Sequence, residues 1–270
     1  MEEIVNYNIK VYSNLICIIL LAFLNLARAE PLHVGSFNVN SNKTSPTTIA
    51  KQMIEQNNID IWGVSESAND WPSKIKPVIS QNANFDVVMG TTGRDRNRLQ
   101  IYYNKEKFSL VSHTELDEIN KNNAVRSPLV ARFLSKDTKR EFLFMVNHLY
   151  RANSSARLEQ SIQLNQWVQQ QELPVIAVGD YNFDMSPYDV TKRGEGYDAI
   201  IKNNVLRWIQ PEVLLPTQCS KYKSILDFIF VSDKLEYNTA TSTISYPENE
   251  YCSNPRNSDH RPLIADIDMI

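Results

Sequence analysis

The chain has 270 residues, of which 42% are hydrophobic, 22% charged and 10% aromatic, and 28 Lys+Arg against 31 Asp+Glu leave a net charge of −3. That balance describes a globular chain with a sizeable core and excludes a disordered or fibrous one. Seven glycines and no G-x-x-x-x-G-K-[ST] run exclude a P-loop enzyme, and with no overall basic field any polyanion has to be gripped locally.

Leu15 to Leu26 is a run of twelve residues with Asn25 its one polar member, followed by the small-x-small pattern Ala27-Arg28-Ala29. A spanning helix needs about 20 apolar residues, so the run predicts a signal peptide over 1–29, cleaved after Ala29. A mature domain over 30–270 then acts in the periplasm or outside the cell. Losing Cys17 with the leader leaves Cys219 and Cys252, and an oxidising compartment predicts a disulfide between them.

The mature chain shows no repeat, low-complexity tract or Pro/Gly/Ser linker, which predicts a single domain. Apolar runs of strand length fall at Leu32–Asn38, Ile59–Val64, Phe85–Met89, Leu99–Tyr103, Leu129–Phe133, Phe142–Val146, Val175–Val178, Leu226–Val231 and Leu263–Ile267. Helices are predicted over Pro46–Gln56, behind a Ser45 N-cap, and over Ser155–Gln170, where Leu158/Ile162 and Leu164/Val168 stand at i, i+4. Helices alternate with strands only in part, which favours sheet packed on sheet with helices outside over a regular βα barrel. Gly194 to Ala199 fits the loose G-x-G-x-x-A pattern, but no apolar strand leads into it, so a loop is expected there.

Three apolar runs end in groups capable of chemistry: Ser65-Glu66, Asn147-His148 and Gly179-Asp180-Tyr181-Asn182. Asp227 sits between Ile225-Leu226 and Phe228-Ile229-Phe230, where an unpaired carboxylate would cost several kcal/mol by the usual desolvation arguments. It needs a partner, and Asp259-His260 just before the last strand offers one. Of four histidines, His148 and His260 stand at strand boundaries beside acid or amide side chains, whereas His33 and His113 lack that company.

Ser36-Phe37-Asn38-Val39, Ser65-Glu66, Asn147-His148-Leu149, Gly179-Asp180-Tyr181-Asn182-Phe183, Leu226-Asp227-Phe228-Ile229-Phe230 and Ser258-Asp259-His260-Arg261-Pro262 resemble, in order, the motifs of the endonuclease/exonuclease/phosphatase superfamily, of which deoxyribonuclease I is a familiar member. The resemblance runs from Val34 to Ile267. It implies an α/β (α+β) fold: a four-layer α/β/β/α sandwich of two packed mixed sheets flanked by helices, with the site at one edge between the sheets.

The resemblance also implies roles. Glu66 is the principal ligand of Mg2+, with Mn2+ or Ca2+ as alternatives, helped by Asn38 and Asp259; magnesium prefers oxygen donors and keeps several waters. Asp180 and Asn182 position or activate the attacking water. His260, oriented by Asp227, is a general acid/base, and His148 contacts the phosphate or protonates the leaving oxygen. Deoxyribonuclease-like members place a glutamate near Asn97 or Arg98 to support the first histidine, and here that position carries neither Glu nor Asp.

The superfamily hydrolyses several classes of phosphoester, so local features have to choose the substrate. Arg94, Arg96 and Arg98, with Arg151 after His148, read as phosphate clamps and favour DNA or RNA. The alternative is a phospholipid, sphingomyelin or inositol-phosphate headgroup, for which Tyr237 to Cys252 lacks a Trp or Phe cluster. A catalytically dead binding protein is disfavoured because every proposed catalytic position holds a competent residue. A monomer with no membrane span in the mature chain and no stable protein partner is expected.

Overall fold

A computed structural model of the chain describes residues 30–81, 83–93, 97–120, 125–219 and 222–270. The signal peptide expected over 1–29 lies outside them, as do Arg94 and Arg96. Two six-stranded sheets pack face to face with helices on the outer faces. Sheet A runs β11 (Tyr237–Ile244), β12 (Leu263–Met269), β1 (Leu32–Asn38), β2 (Ile61–Ser67), β4 (Arg98–Asn104), β3 (Phe85–Met89). Sheet B runs β5 (Phe108–Glu115), β6 (Leu129–Ser135), β7 (Glu141–His148), β8 (Val175–Met185), β10 (Ile225–Ser232), β9 (Leu206–Trp208). Each sheet has one parallel pair, β1 with β2 and β7 with β8, and is otherwise antiparallel. This is the four-layer sandwich that the sequence motifs imply.

Each parallel pair needs a crossover, and a helix supplies it. α1 (Pro46–Glu55) joins β1 to β2; Ser45 caps it by accepting from Thr48 N, with Pro46 at the first turn. α3 (Ser154–Gln170) joins β7 to β8, capped by Asn153 accepting from Ala156 N. α2 (Pro72–Ile79), α4 (Glu195–Ile200) and α5 (Asn249–Ser253) complete the helices among the described residues.

Strand alternation assigns every side chain to a layer. In β10, Ile229 and Val231 enter the core between the sheets, while Phe228 and Phe230 face the outer layer under α3 and α4. Leu32 and Val34 of β1, Phe144 and Val146 of β7, and Ile176 and Val178 of β8 also line the inter-sheet core. Continuing each alternation by two residues reaches Asn38, by way of Ser36, and then His148, Asp180 and, backwards along β10, Asp227. The polar site is therefore the end of the apolar inter-sheet core, and buried polar groups have to satisfy one another there.

The structure adds strands that apolar periodicity did not predict: β5, β9 and β11. β5 and β11 carry Ser, Thr, His and Asn on largely exposed positions, and β9 has three residues. These are edge or near-edge strands whose pairing is decided by neighbours. Where a loop was expected from Gly194 to Ala199, α4 forms behind Gly194. A Cβ at Gly196 would lie 2.7 Å from Phe183 Cε1, so glycine lets this helix approach the sheet, and Tyr197 packs into the aromatic layer with Phe183, Trp208, Phe228 and Phe230. Tertiary packing builds that helix, not local propensity.

Candidate active site

Glycine at 179 brings the two halves of sheet B's polar end together. Its φ is +139°, and a Cβ there would lie 2.0 Å from the Asn147 carbonyl oxygen. Only glycine permits that approach, and the register it serves sets His148 opposite Asp180. His148 Nε2 lies 3.5 Å from Asp180 Oδ2 and 3.7 Å from Glu66 Oε1.

Glu66 reaches this point against the alternation of β2. Trp62 and Val64 face the helix layer, and Glu66 shares their parity. The β2–β4 register shifts between Val64 and Ser67, and Glu66 adopts φ +54°. This bulge turns the carboxylate back toward the inter-sheet seam, and left-handed non-glycine residues of this kind concentrate at functional sites. Asn182 is a second case, with φ +53° inside β8. Its backbone N–H donates to Asp180 Oδ1 at 3.0 Å, and its amide donates to the Leu149 carbonyl at 3.1 Å.

Asp180 is the hub. It is 2% exposed, accepts from Asn38 Nδ2 at 3.0 Å through Oδ2, and lies 3.9 Å from His260 Nε2. Burial first, then the charge of Asp227, push its carboxyl up to about 7, with His260 and Asn38 opposing. His260 Nδ1 donates to Asp227 Oδ2 at 2.7 Å, so the partner that Asp227 requires is His260. Burial works against a charged imidazole here, yet the charge and hydrogen bond of Asp227, with Asp180 and Asp259, push His260 up to about 10. His148 goes the other way: burial, then the charges of Arg126 and His260, hold it well below the usual imidazole range. The two histidines thus stand in opposite protonation states at neutral pH. His148 Nδ1 and Asn97 Oδ1 are both buried without a hydrogen-bond partner, so the supporting acid expected near this segment has no substitute in Asn97.

Asp259 accepts from Asn40 Nδ2 at 2.7 Å and Gln218 Nε2 at 3.2 Å. Burial opposes its charge, but His260 and those two amides hold its carboxyl below the ordinary range. Asn40 N–H in turn donates to Asn38 Oδ1 at 3.2 Å. Cys219 and Cys252 are disulfide-bonded with Cα atoms 5.7 Å apart, and Cys219 N–H donates to the Asp259 carbonyl, so the bridge is tied directly to the His260 segment.

Four carboxylates, Glu66, Asp180, Asp227 and Asp259, therefore share the site with two buried cations, Arg126 and His260. This surplus of negative charge fits a divalent cation. Asp180, Asp227 and His260 offer donor atoms within 4.8 Å of one another, but His260 Nδ1 is engaged by Asp227. The oxygen donors of Asn38, Glu66 and Asp259 suit an oxygen-preferring ion better. The Glu66 carboxylate lies 3.7 Å from His148 Nε2, beyond hydrogen-bond length, and its side chain is 23% exposed and within reach of a hydrated ion.

Three residues here escaped the sequence reading: Arg126, Asn40 and Gln218. Arg126 is 7% exposed and donates through Nε to the His148 carbonyl at 3.2 Å. Burial draws its pKa down to about 10, against Glu66 and Asp180, so it remains charged at neutral pH. A signal for it existed. Arg126-Ser127-Pro128-Leu129 leads into β6 as His260-Arg261-Pro262-Leu263 leads into β12, and β6 adjoins β7 as β12 adjoins β1. Of the expected phosphate clamps, Arg98 is committed elsewhere, donating to Asn69 Oδ1 at 2.7 Å and to the Thr91 carbonyl. Arg151 is exposed and stacks 4.4 Å above the Tyr222 ring centroid.

Solved structures share this architecture. An endonuclease/exonuclease/phosphatase family protein from Bacteroides thetaiotaomicron is 22% identical with a TM-score of 0.63, covering 88% of this chain and 94% of its own. A mannosyl-6-phosphatase from the same organism is 22% identical with a TM-score of 0.61, covering 87% and 99%. D. rerio TDP2 complexed with single-strand DNA product is 14% identical with a TM-score of 0.64, covering 88% and 99%. No curated protein sequence matches significantly. The sequence profile of the Endonuclease/Exonuclease/phosphatase family, whose members hydrolyse phosphoester bonds, matches residues 35–260. With that profile spanning most of the chain, on a sandwich whose polar seam gathers its motif residues, this protein belongs to the Endonuclease/Exonuclease/phosphatase family.

Proposed function

We propose that the chain is an exported, divalent-metal-dependent hydrolase that cleaves phosphodiester bonds of nucleic acid. The observation that carries this reading is the placement of Asp180 between a neutral His148 and a charged His260 at one end of the inter-sheet core. Hydrolysis of a phosphoester needs an aligned water, a proton path and charge neutralisation, and each has a candidate there.

Asp180, whose raised pKa makes it a competent proton acceptor near neutral pH, takes the proton of the attacking water. Asn182, bonded to both Asp180 and Leu149, fixes the strand bend beside that water. His260, held charged by Asp227, hydrogen-bonds the phosphoryl group through Nε2. His148 contacts the phosphate or leaving oxygen, and Arg126 neutralises phosphate charge from the floor of the site. Glu66, Asn38 and Asp259 would hold Mg2+, which when bound polarises the phosphoryl oxygen. Export is supported by the twelve-residue apolar run ahead of Ala29 and by the disulfide.

One observation favours a second reading, a small phosphomonoester. Arg98 is tied to Asn69 and Thr91, which leaves Arg126 as the buried guanidinium at the acid cluster among the described residues, enough for one phosphate group. A lipid headgroup is less favoured, because Tyr246 and Tyr251 stack on each other and Tyr251 is 4% exposed instead of forming an exposed aromatic tip. The deciding experiment incubates the mature chain with supercoiled plasmid and with a sugar phosphate, in Mg2+ and in EDTA. Metal-dependent nicking that disappears in Asp180→Asn and His260→Ala is expected. Release of inorganic phosphate with plasmid left intact would replace the nuclease reading with the monoester one.

A further inference from the structure

Arg126 is held by a hydrogen-bond chain that crosses from one sheet to the other, and we propose that Glu115, Thr92 and Ser127 are positioning residues that fix its guanidinium for phosphate. The proposal rests on the phosphoester reading of the site. Glu115 is the last residue of β5 in sheet B, and Gly90-Thr91-Thr92 follows β3 in sheet A. Glu115 Oε2 accepts from Thr91 N at 2.7 Å and Thr91 Oγ1 at 2.5 Å; Oε1 accepts from Thr92 N at 3.0 Å and from Thr92 Oγ1.

Having given its single proton to Glu115, Thr92 Oγ1 is left as an acceptor, and Ser127 N donates to it at 2.9 Å. That N–H belongs to the peptide joining Ser127 to Arg126. Ser127 Oγ donates to Asp117 Oδ1 at 2.7 Å, Leu116 N to the Pro128 carbonyl at 3.0 Å, and Val125 N to Asn120 Oδ1 at 3.1 Å. The backbone is therefore fastened on both sides of Arg126. The turn also lies close to the residue: a Cβ added at Gly93 would lie 3.3 Å from Arg126 Cβ.

The chemistry of the chain is directional. A carboxylate accepts all four bonds only when ionised, and burial works against it while Thr91 and Thr92 hold Glu115 below the usual carboxylate range. Position 92 must both donate and accept, which Ser and Thr do and Val does not. A long guanidinium side chain contributes to anion capture in proportion to how well its stem is fixed beforehand. Sheet A thereby sets the aim of a cation carried by sheet B.

The test is a double-mutant cycle of Thr92→Val and Glu115→Gln, each in the wild-type and Arg126→Ala backgrounds. Inorganic phosphate is titrated calorimetrically in Mg2+ buffer, and KM and kcat are measured on whichever phosphoester the chain hydrolyses. We expect each single variant to weaken phosphate binding and raise KM by about tenfold with a smaller effect on kcat, Thr92→Ser to restore both, and the same changes to cost less than about twofold once Arg126 is gone. Unchanged phosphate affinity in folded Thr92→Val, or equal losses in both backgrounds, overturns the proposal. Glu115→Gln carries the cycle if Thr92→Val does not fold. Absence of turnover on every phosphoester would sink the hydrolase reading alone, since the phosphate titration still decides the positioning role of Glu115 and Thr92.

Discussion

Sheets A and B have the same layout: a central parallel pair joined by a helix, two further strands on one side and two on the other. At matching places they carry different chemistry. The ends of β1 and β2 present Asn38 and Glu66, oxygen donors; the end of β7 and the middle of β8 present His148 and Asp180, an imidazole opposite a carboxylate. Ahead of β12 stands His260, and ahead of β6 stands Arg126, so each sheet also supplies one cation. One frame used twice thus lines the site with different side chains on its two walls, and the proposed function assigns the ion to sheet A and the acid-base chemistry to sheet B. The outer layers differ too: a 17-residue helix and an aromatic layer cover sheet B, while helices of 10 and 8 residues cover sheet A.

The sharpest way to break this division is to damage one wall at a time. Asp180→Asn should lower turnover by roughly 10³-fold at any Mg2+ concentration. Glu66→Gln should lose roughly 10²-fold at low Mg2+ and recover much of it as the metal is raised. A magnesium titration of both variants checks this; recovery of Asp180→Asn by metal would erase the distinction. Next in size is the disulfide, which tethers the His260 segment of the sheet A wall. Cys219→Ser with Cys252→Ser should cost about 3–4 kcal/mol by loop-closure arguments and lower activity together with melting temperature. Unchanged melting and turnover in the double variant would remove that role.

Backbone contacts should separate the sheets as well. Gly179→Ala meets a carbonyl oxygen at a positive φ and should cost about 3 kcal/mol or more. Gly35→Ala in sheet A meets the buried Trp62 ring without a positive φ and should cost about 1–3 kcal/mol by overpacking; denaturant unfolding of the pair measures the difference.

A last effect is the pH dependence of stability in the metal-free protein. Asp180 and His260 are both raised in the folded chain, so each contributes stability that is present at low pH and lost as pH rises. The loss for Asp180 runs between its ordinary 3.8 and about 7, and for His260 between 6.5 and about 10. Asp180→Asn should therefore flatten the lower part of the decline along with its loss of turnover. Melting curves in EDTA across roughly pH 5 to 9 check this, and an unchanged slope would mean that the shift of Asp180 has no energetic weight.

Much of the fold was legible in the chain. The nine apolar runs each became a strand, and Ser45 capped the helix placed behind it, because buried strands and capped helices write their period and end signals locally. β5 and β11 were not legible, since their largely exposed polar residues pair only because a neighbouring strand offers its edge. In the site, Asp227 announced its need for a partner by standing in an apolar strand, and His260 proved to be that partner. Arg126 had only its likeness to the His260 segment to mark it, and a single arginine before a strand otherwise reads as solvated surface until the fold buries it.

Sequence by itself determined the family, the two-sheet sandwich and the set of motif residues, because these depend on period, order and residue type. Tertiary structure decided which way those residues point and what charge they carry. The left-handed Glu66 bulge, the Gly179 approach to Asn147, and the opposite shifts of His148 and His260 all arise from packing. Direction and protonation are set by the groups and the dielectric around a side chain, and those come from strands far away in the sequence.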